Sequence, residues 1–421
     1  MFEQDFEIMS TLKNRNVFYL IILFAVITRI WGIGDIASFT GDEGLHVPAS
    51  ENYLASGHST PDYWFHPPLK HLLLAGSIKI FGNNPYGWRM RNALFGILSV
   101  IAIFLVGKTL FPDDIRIAYL SAALLAIDPL HIRLSISTAE EIQAACFFLL
   151  SLYFSSGFIK GKLVAGTAAG CFLGLAMASK WYYIPAALIL VFFVLSARRQ
   201  QGELTFSGTL AVLSSYITLP IGVYLSVFYA WFNRGYGIGE FVQMQIDTYR
   251  ELQAVLLTDF NNKLAPISSP LAWFVKPVLI GFDVSRSQSI GQFSILMNNP
   301  PVWLFAIPAV LYTIYRGWKD RDRSAMLIAG FFCATYAQFL MVNRPIFIYS
   351  AIACLPFVCL AVAFLIISML SRIKNGEQYE TPLIAVIFLW GIYLYPFISY
   401  KPVPRFLYEP LLSLGTIYKP F

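Results

Sequence analysis

The clearest indication of the fold comes from residues 90–108, which read MRNALFGILSVIAIFLVGK. Between Arg91 and Lys108 this segment carries no charged side chain, and as a helix it can cross the roughly 30 Å hydrocarbon core of a bilayer. Ten further segments lack Asp, Glu, Lys and Arg in their central parts, where a charge costs about 2.5–3.5 kcal/mol. We therefore predict an all-α polytopic membrane protein with about eleven transmembrane helices. The ten other segments are 16–33, 115–130, 140–159, 163–179, 181–197, 207–232, 300–316, 324–342, 346–371 and 382–399.

The composition of the 421-residue chain supports the same class. Apolar residues make up 57% of it and charged residues only 13%, with a mean hydropathy of +0.62. Soluble domains carry about 25% charged residues, so a water-soluble enzyme, a disordered protein and a nucleic-acid-binding protein are excluded. The net charge of +6 comes from short, scattered groups of Lys and Arg. Five cysteines lie in apolar segments, lack the spacing of a metal site or a disulfide framework, and are predicted core residues.

The distribution of Lys and Arg predicts how the chain is oriented. Short loops between alternate segments carry groups of cations, such as Lys160 with Lys162, and by the positive-inside rule these loops lie in the cytoplasm. The amino terminus is then inside and the carboxyl terminus outside. Two long loops face outside, the first outer loop at 34–89 and the fourth at 233–299. We expect one transmembrane domain over residues 1–421, with interfacial helices in these two loops and the chemistry outside.

Two adjacent acids, Asp42 and Glu43, lie between glycines just beyond the first span. Adjacent residues point in different directions, so only one of the two carboxylates can face a single reacting atom. The other would bind something else or cap the helix predicted to begin near Leu45, where an acid suits the helix dipole. A solvated turn is the alternative interpretation.

The rest of the first long loop predicts an interfacial helix. Apolar residues follow helical spacing from His66-Pro67-Pro68 as far as residue 82, and proline is favourable in a first helical turn. Lys70 and Lys79 mark the polar flank of this helix. Arg89 then stands where the chain re-enters the membrane, either as an interface anchor or as a ligand for an anion.

Eight short motifs follow one another between about residue 29 and residue 400. They are Asp42-Glu43, His66-Pro67-Pro68-Leu69, Gly87-Trp88-Arg89, Asn92-Ala93-Leu94-Phe95-Gly96, Asp128-Pro129-Leu130-His131, Ser179-Lys180-Trp181, Asn298-Asn299-Pro300-Pro301-Val302-Trp303 and Arg344-Pro345-Ile346-Phe347-Ile348-Tyr349. In this order they resemble the protein O-mannosyltransferases and the related lipid A aminoarabinose transferases. Both are membrane glycosyltransferases, and the resemblance implies their GT-C fold.

Enzymes of this kind move a sugar from a polyprenyl-phosphate carrier to an acceptor hydroxyl outside the membrane. The reaction needs a carboxylate that accepts the hydroxyl proton, worth about 10²–10⁴ in rate as a general base. It also needs cations at headgroup depth for the departing lipid phosphate. The resemblance implies a mannose-like sugar, inversion at the sugar carbon and, as acceptor, Ser or Thr of an exported protein. A glycolipid or a surface polymer is the alternative acceptor.

The resemblance also implies roles for five of the residues. Asp42 is the expected base, and Glu43 is expected to orient the acceptor or the loop. Arg89, Lys180 and Arg344 are expected to bind the donor, chiefly its phosphate. For each of these three cations, anchoring at the membrane interface is the alternative role.

Two further positions complete the predicted site. His66 is expected to contact the substrate, because the mannosyltransferases have histidine where the aminoarabinose transferases have lysine; capping a helix is its alternative role. The mannosyltransferases tend to have Ser-Arg before the fourth span and Asp five residues later. Here Ile136 replaces the arginine, and Glu141 is the expected second acid at the donor sugar, with Glu140 as the alternative. The alternative interpretation is that Glu140 and Glu141 only stabilise the amino terminus of a helix.

Cofactor and partners follow from the same resemblance. We expect no metal to be required, and a Mn²⁺ or Mg²⁺ ion between Asp42 and Glu141 is the alternative. The expected partners are the lipid-linked sugar donor, an acceptor protein or glycolipid, and membrane lipids, with no nucleic acid. The loop 233–299 has no room for the sugar-binding MIR domain of eukaryotic mannosyltransferases, and its residues 273–277 predict a surface helix or a re-entrant dip. We expect a multi-pass protein of a prokaryotic plasma membrane with its active site outside.

An ion-coupled transporter and an inactive scaffold subunit are the rival classes. Transporters usually show inverted repeats and ionisable residues at mid-membrane, and this sequence shows neither. The altered motif at Ile136 is the best support for a scaffold. Asp42→Asn separates these classes. An enzyme should lose most of its turnover, whereas a transporter or a scaffold should be little affected.

Overall fold

The computed structural model describes residues 2–57, 66–254, 269–275, 278–287, 289–342, 344–413 and 417–418. Within these ranges the chain forms nineteen α-helices and one four-stranded sheet. The helices are α1 Phe2–Ile30, α2 Glu43–Ser56, α3 Leu69–Phe81, α4 Pro85–Leu110, α5 Ile115–Ile127, α6 Pro129–Ser135, α7 Glu140–Ile159, α8 Leu163–Ser179, α9 Ile184–Gln200, α10 Phe206–Leu213, α11 Leu219–Ser226, α12 Tyr229–Asn233, α13 Ile238–Ala254, α14 Ala272–Val275, α15 Pro300–Lys319, α16 Arg323–Leu340, α17 Leu355–Leu370, α18 Glu380–Ile398 and α19 Arg405–Ser413. The strands are β1 Leu279–Arg286, β2 Ile290–Met297, β3 Pro402–Pro404 and β4 Ile417–Tyr418.

The apolar segments of the sequence form the helices of the membrane domain. Each of the eleven predicted segments coincides with one helix or with a run of consecutive helices. In the described part of the chain, five helical segments are long and apolar enough to cross a membrane, and the bent pair α5–α6 makes a sixth. Three shorter apolar helices accompany them, at Asn16–Ile30, Leu163–Ser179 and Leu355–Leu370. The chain is therefore an integral membrane protein, and the total of eleven spans stays a prediction.

The bend between α5 and α6 follows from Pro129. A residue before proline is pushed out of the helical region, and Asp128 has φ −65° and ψ 123°. Its carboxylate caps α6 by accepting a hydrogen bond from the backbone N–H of His131 at 3.0 Å. The two helices meet at 61°, and Asn92 of α4 donates to the carbonyl of Ala139 at 2.7 Å in the loop that follows. These contacts fix where α7 begins.

Three glycines one helical turn apart, Gly166, Gly170 and Gly174, form a smooth face on α8. A Cβ atom at Gly170 would lie 1.9 Å from the backbone oxygen of Ser215, and one at Gly174 would lie 2.9 Å from that of Pro220. Small residues allow helices to approach closely in membranes, where van der Waals packing drives association. This close contact holds α8 against the helical segment 206–226. The carboxyl end of α8 lies next to the cavity described below.

The sheet lies in the second long loop and is completed by the end of the chain. Strands β1 and β2 form an antiparallel hairpin, β3 pairs with β2, and β4 runs parallel to β1. The ring of Phe293 in β2 packs against that of Phe397 in α18, with centroids 5.8 Å apart and a tilt of 30°, and this contact joins the sheet to the helices. The sequence predicted a surface helix or a re-entrant dip over 273–277. A short helix, α14, covers 273–275 of this stretch, and residues 276–277 lie outside the described ranges. The sheet that follows was not predicted.

Candidate active site

A cavity of about 310 Å³ lies where α2, α3, α7 and the sheet meet. Seven of its side chains form what we call the charged cluster: Asp42, His46, His66, Lys70, Glu140, Glu141 and Lys180. Two arginines, Arg133 and Arg344, line the same cavity. The apolar lining comprises Leu45, Leu134, Leu252, Ile280, Leu296, Pro345 and Phe347. Five of the seven predicted site residues therefore line the cavity, whereas Glu43 and Arg89 do not.

Asp42 stands at the amino end of α2. Its backbone carbonyl accepts hydrogen bonds from the N–H groups of Leu45 and His46, both at 3.0 Å. The preceding Gly41 has φ +54°, a left-handed conformation that glycine adopts without strain. This turn presents the Asp42 carboxylate to the cavity. Partial loss of water there, and then the negative charge of Glu140, raise the pKa of Asp42 above its ordinary value.

Glu43 and Arg89 form a buried ion pair outside the cavity. The Arg89 Nε donates to Glu43 Oε1 at 2.9 Å and its Nη2 to Oε2 at 2.8 Å. Three more N–H groups of Arg89 donate to the carbonyls of Ile33, Ile36 and Ser38 at 2.8–3.1 Å. A guanidinium has five N–H donors, and all five are engaged. In this arrangement no N–H group of Arg89 is left for a phosphate, and the expected contact between Arg89 and the donor stays a prediction.

This ion pair holds the loop that carries the predicted base. Glu43 Oε2 also accepts the backbone N–H of Thr40 at 2.9 Å, and Arg133 donates to the Thr40 hydroxyl at 3.2 Å. Thr40 is thus fixed from two sides, one residue before the turn into Asp42. Glu43 lies where it can orient the loop, which is one of the two roles expected of it, and its carboxylate is outside the cavity.

Glu140 is the centre of the charged cluster. Its Oε1 lies 2.9 Å from the Nζ of Lys180, 3.4 Å from the Nζ of Lys70 and 3.7 Å from the Nε2 of His66. Its Oε2 lies 3.8 Å from the Nε2 of His46. The sequence favoured Glu141 as the second acid and kept Glu140 as the alternative. Both line the cavity, but Glu140 contacts two lysines, whereas Glu141 contacts Lys180 at 3.2 Å.

The two histidines of the cluster are neutral. Lys180 Nζ lies 3.2 Å from His66 Nε2, and Lys70 Nζ lies 3.4 Å from His46 Nε2. A lysine ammonium only donates hydrogen bonds, so each Nε2 accepts and carries no proton. Burial, and then the nearby lysine charges, keep the pKa of both imidazoles well below the usual value.

The two lysines differ in electrostatic setting. Burial lowers the pKa of Lys70, with Glu140 acting in the opposite direction. Burial also acts against the charge of Lys180, yet the carboxylates of Glu140 and Glu141 outweigh it and raise the pKa of Lys180 well above the usual value. Lys180 therefore stays charged in the cavity.

Comparisons with known proteins agree with this geometry. A family model described as dolichyl-phosphate-mannose-protein mannosyltransferase matches residues 65–224. The polyprenol-phosphate-mannose–protein mannosyltransferases of Mycobacterium tuberculosis and Corynebacterium glutamicum are 25% and 24% identical to the chain. Their alignments cover 95% and 93% of it and 91% of each relative.

Solved structures show the same fold. The S. cerevisiae protein O-mannosyltransferase Pmt1–Pmt2 complex bound to the sugar donor superposes with a TM-score of 0.77 at 13% identity. The match covers 96% of this chain and 92% of that chain. ArnT from Cupriavidus metallidurans bound to undecaprenyl phosphate gives 0.62 at 14% identity, over 89% of this chain and 64% of that one. The chain is thus similar to the polyprenol-phosphate-mannose–protein mannosyltransferases over most of its length, and it shares the fold of these solved structures. The predicted resemblance, fold and glycosyltransferase class are thereby confirmed.

Sequence reasoning missed two members of the charged cluster in this O-mannosyltransferase-like chain, Lys70 and His46. Lys70 was placed on a polar flank, but only 1% of it is exposed because α3 is enclosed by α2, α4 and α8. A usable signal exists in the spacing. His46 follows Asp42 by four residues and Lys70 follows His66 by four, so each lies one helical turn from a residue that was predicted.

The position of Lys70 is fixed by Arg91 of α4. Arg91 Nη1 donates to the Lys70 carbonyl and to Gln143 Oε1, both at 2.8 Å, and its Nη2 donates to the Thr138 carbonyl at 2.8 Å. One guanidinium therefore ties together α3, α7 and the loop before Glu140. Arg91 was not singled out in the sequence, where it looks like an ordinary interfacial arginine.

Arg344 and a metal ion are the remaining predictions. Arg344 lines the cavity and donates from Nη1 to the Leu252 carbonyl at 3.2 Å, while its neighbour at 343 lies outside the described residues. Among the residues that the structure describes, no group of three or more His, Cys, Asp or Glu is arranged to hold a metal ion. Whether activity requires a metal stays a prediction.

Proposed function

We propose that this chain transfers a mannose-like sugar from a polyprenyl-phosphate carrier to a Ser or Thr hydroxyl of an exported protein. The observation that carries the proposal is one cavity in which the Asp42 carboxylate meets two buried lysines, Lys70 and Lys180. The names of the relatives support the donor and the acceptor, because they are polyprenol-phosphate-mannose–protein mannosyltransferases. The reaction takes place on the outer side of a prokaryotic plasma membrane.

The transfer is a single displacement at the sugar carbon. The acceptor oxygen attacks this carbon as Asp42 accepts its proton, and the bond from the carbon to the phosphate oxygen breaks. The electron pair leaves with the polyprenyl phosphate, whose added negative charge is stabilised by Lys180 and Lys70. Because attack and departure occur on opposite faces, the configuration inverts. The raised pKa of Asp42 makes it a stronger base than an ordinary Asp.

The apolar lining supports a protein acceptor. Ile280 and Leu296 come from the two central strands of the sheet, and Leu252 and Phe347 come from α13 and from the 3-10 turn region before α17. These side chains offer contacts to the residues that flank a reacting hydroxyl in a peptide.

The experiment is a transfer assay in membranes that contain the protein. Radiolabelled polyprenyl-phosphate mannose is supplied with Ser/Thr-containing peptides of exported proteins, and the label is followed into peptide, lipid and polymer fractions. We expect label in the peptide fraction with the wild type and a loss of at least about 100-fold with Asp42→Asn. Asp247→Asn, which changes a half-buried acid of α13 outside the cavity lining, is the matched control and should keep its rate.

Each other outcome contradicts one part of the proposal. Label in a glycolipid or polymer fraction would show that the acceptor class is wrong. An unchanged rate with Asp42→Asn would show that Asp42 is not the base. Absence of any labelled product, with donor binding intact, would favour a scaffold.

A further inference from the structure

Glu140 has a second possible role in the charged cluster, and the inference of this role rests on the proposed function. Its Oε1 lies between the ammonium groups of Lys180 at 2.9 Å and Lys70 at 3.4 Å. Lysine ammonium groups commonly bind phosphate oxygens, so an anionic oxygen between two lysines occupies a position that suits a lipid phosphate oxygen. Glu140 thus takes the contacts that the carrier phosphate would use.

The hydrogen-bonding capacity of Lys180 makes the two ligands exclusive. An ammonium group has three N–H donors. Lys180 Nζ has three acceptors in reach, Glu140 Oε1 at 2.9 Å, Glu141 Oε1 at 3.2 Å and His66 Nε2 at 3.2 Å. A phosphate oxygen can therefore bind Lys180 directly only if one of these acceptors withdraws.

Charge decides which acceptor withdraws. With neutral histidines, the cluster holds three acids, Asp42, Glu140 and Glu141, and two lysines, so its ionised form carries one net negative charge. Removing neutral His66 from Lys180 would relieve no repulsion toward a phosphate. Glu141 contacts Lys180, whereas Glu140 contacts both lysines. Withdrawal of Glu140 therefore removes a carboxylate from both lysines, whereas withdrawal of Glu141 removes one from Lys180 alone.

We propose that Glu140 is an internal competitor for the lipid phosphate, displaced from Lys180 and Lys70 by the donor and returning to expel the product. The product needs such a competitor more than the donor does. The donor is a phosphodiester with one negative charge, while the released polyprenyl phosphate is a monoester with a charge of about −1.5 to −2 at neutral pH. Without Glu140 between them, the two lysines would hold this product more tightly and slow the next turnover.

The test is the affinity for undecaprenyl phosphate, measured by titration of the purified full chain in detergent. Glu140→Gln keeps the size of the side chain and removes its charge. We expect the dissociation constant to fall roughly tenfold or more, because a full charge a few Å from the phosphate is removed. Glu141→Gln, which removes the neighbouring carboxylate from one lysine, is the matched control and should tighten binding by less than about threefold.

The outcomes separate this inference from the proposed function. If Glu140→Gln binds undecaprenyl phosphate as well as or less well than the wild type, Glu140 is not a competitor. The same conclusion follows if Glu140→Gln and Glu141→Gln tighten binding equally. Lys180→Met should weaken binding at least about tenfold in every background. If the wild type does not bind undecaprenyl phosphate and Lys180→Met changes nothing, the proposed function fails instead.

A folding defect in the Gln variant does not end the test. Glu140→Asp keeps the charge but shortens the side chain by one methylene, which moves the carboxylate away from the lysines. We expect binding between that of the wild type and that of the Gln variant, with product inhibition stronger than in the wild type. Affinity equal to that of the wild type in a folded Asp variant would overturn the proposal.

Discussion

Replacing Arg89 tests whether the buried ion pair supports the active-site loop or contacts the donor. Arg89→Met leaves the Glu43 carboxylate, which is 1% exposed, without its cation. Removal of one partner from a buried pair costs about 3–5 kcal/mol of unfolding free energy. Arg89→Lys keeps the charge, but three N–H groups must then serve the two carboxylate oxygens and three carbonyls that Arg89 serves. We expect it to cost about 1–3 kcal/mol.

The effect on activity should be on turnover and not on donor binding. The loop held by Arg89 ends at Asp42, and a misplacement of about 1 Å at the reacting group lowers the rate about 100-fold. We expect the kcat of Arg89→Lys to fall by about this factor, while the Kd for the lipid donor changes less than about threefold. The assay combines unfolding in detergent, donor titration and sugar transfer. Lys79→Met, which removes an exposed cation from α3, is the control.

A double-mutant cycle isolates the pair. Glu43→Gln and Arg89→Met are measured alone and together, and contacting residues typically couple by about 0.5–3 kcal/mol. We expect coupling at the upper end of this range, because both side chains are buried. A folded Arg89→Lys with an unchanged melting temperature and a tenfold loss of donor affinity would refute the reasoning and restore Arg89 as a phosphate ligand.

Three further predictions concern the cavity. Asp42→Asn should keep or raise the melting temperature at neutral pH, because it removes an ionised group whose pKa is raised by burial; a clear loss of stability would mean that the carboxylate supports the fold. The kcat/KM of the wild type should fall with decreasing pH, and the fall should begin at a higher pH than for an ordinary Asp, since the folded pKa is raised and the base must be ionised. A pH–rate profile that stays flat down to the ordinary pKa of Asp would contradict this. Treatment with EDTA should leave transfer unchanged, and loss of transfer that Mn²⁺ restores would show that a metal is required.

The helices were predictable because membrane insertion imposes a simple rule. An uncharged run of about 20 residues has few alternatives to a spanning helix, and each predicted segment indeed lies in helix. The sheet was not predictable in the same way. The bulge between Gly281 and Asp283 interrupts the alternation of β1. In addition, β2 buries side chains on both faces, so its sequence reads as a plain apolar run.

The site was predictable at the level of residue type and less so at the level of role. Asp42 and Lys180 follow from motifs in which their chemistry is needed. The partner of Arg89 could not be predicted, because the sequence around an arginine at the end of a span is the same whether it binds a phosphate or a carboxylate from another loop. The burial of Lys70 could not be predicted either, because it depends on three helices that pack around α3 and not on the sequence of α3 itself.

The pairing of β3 with β2 also affects how the protein matures. Leu296 of β2 lines the cavity, and β2 pairs with β3, which is formed by residues 402–404. About 360 residues separate Asp42 from this strand, which at about 5–20 residues per second is a delay of roughly 20–70 s during synthesis. Asp42 is thus synthesised well before the strand that pairs with β2 beside the cavity. Translation that stops before residue 402 would leave β2 without this partner strand.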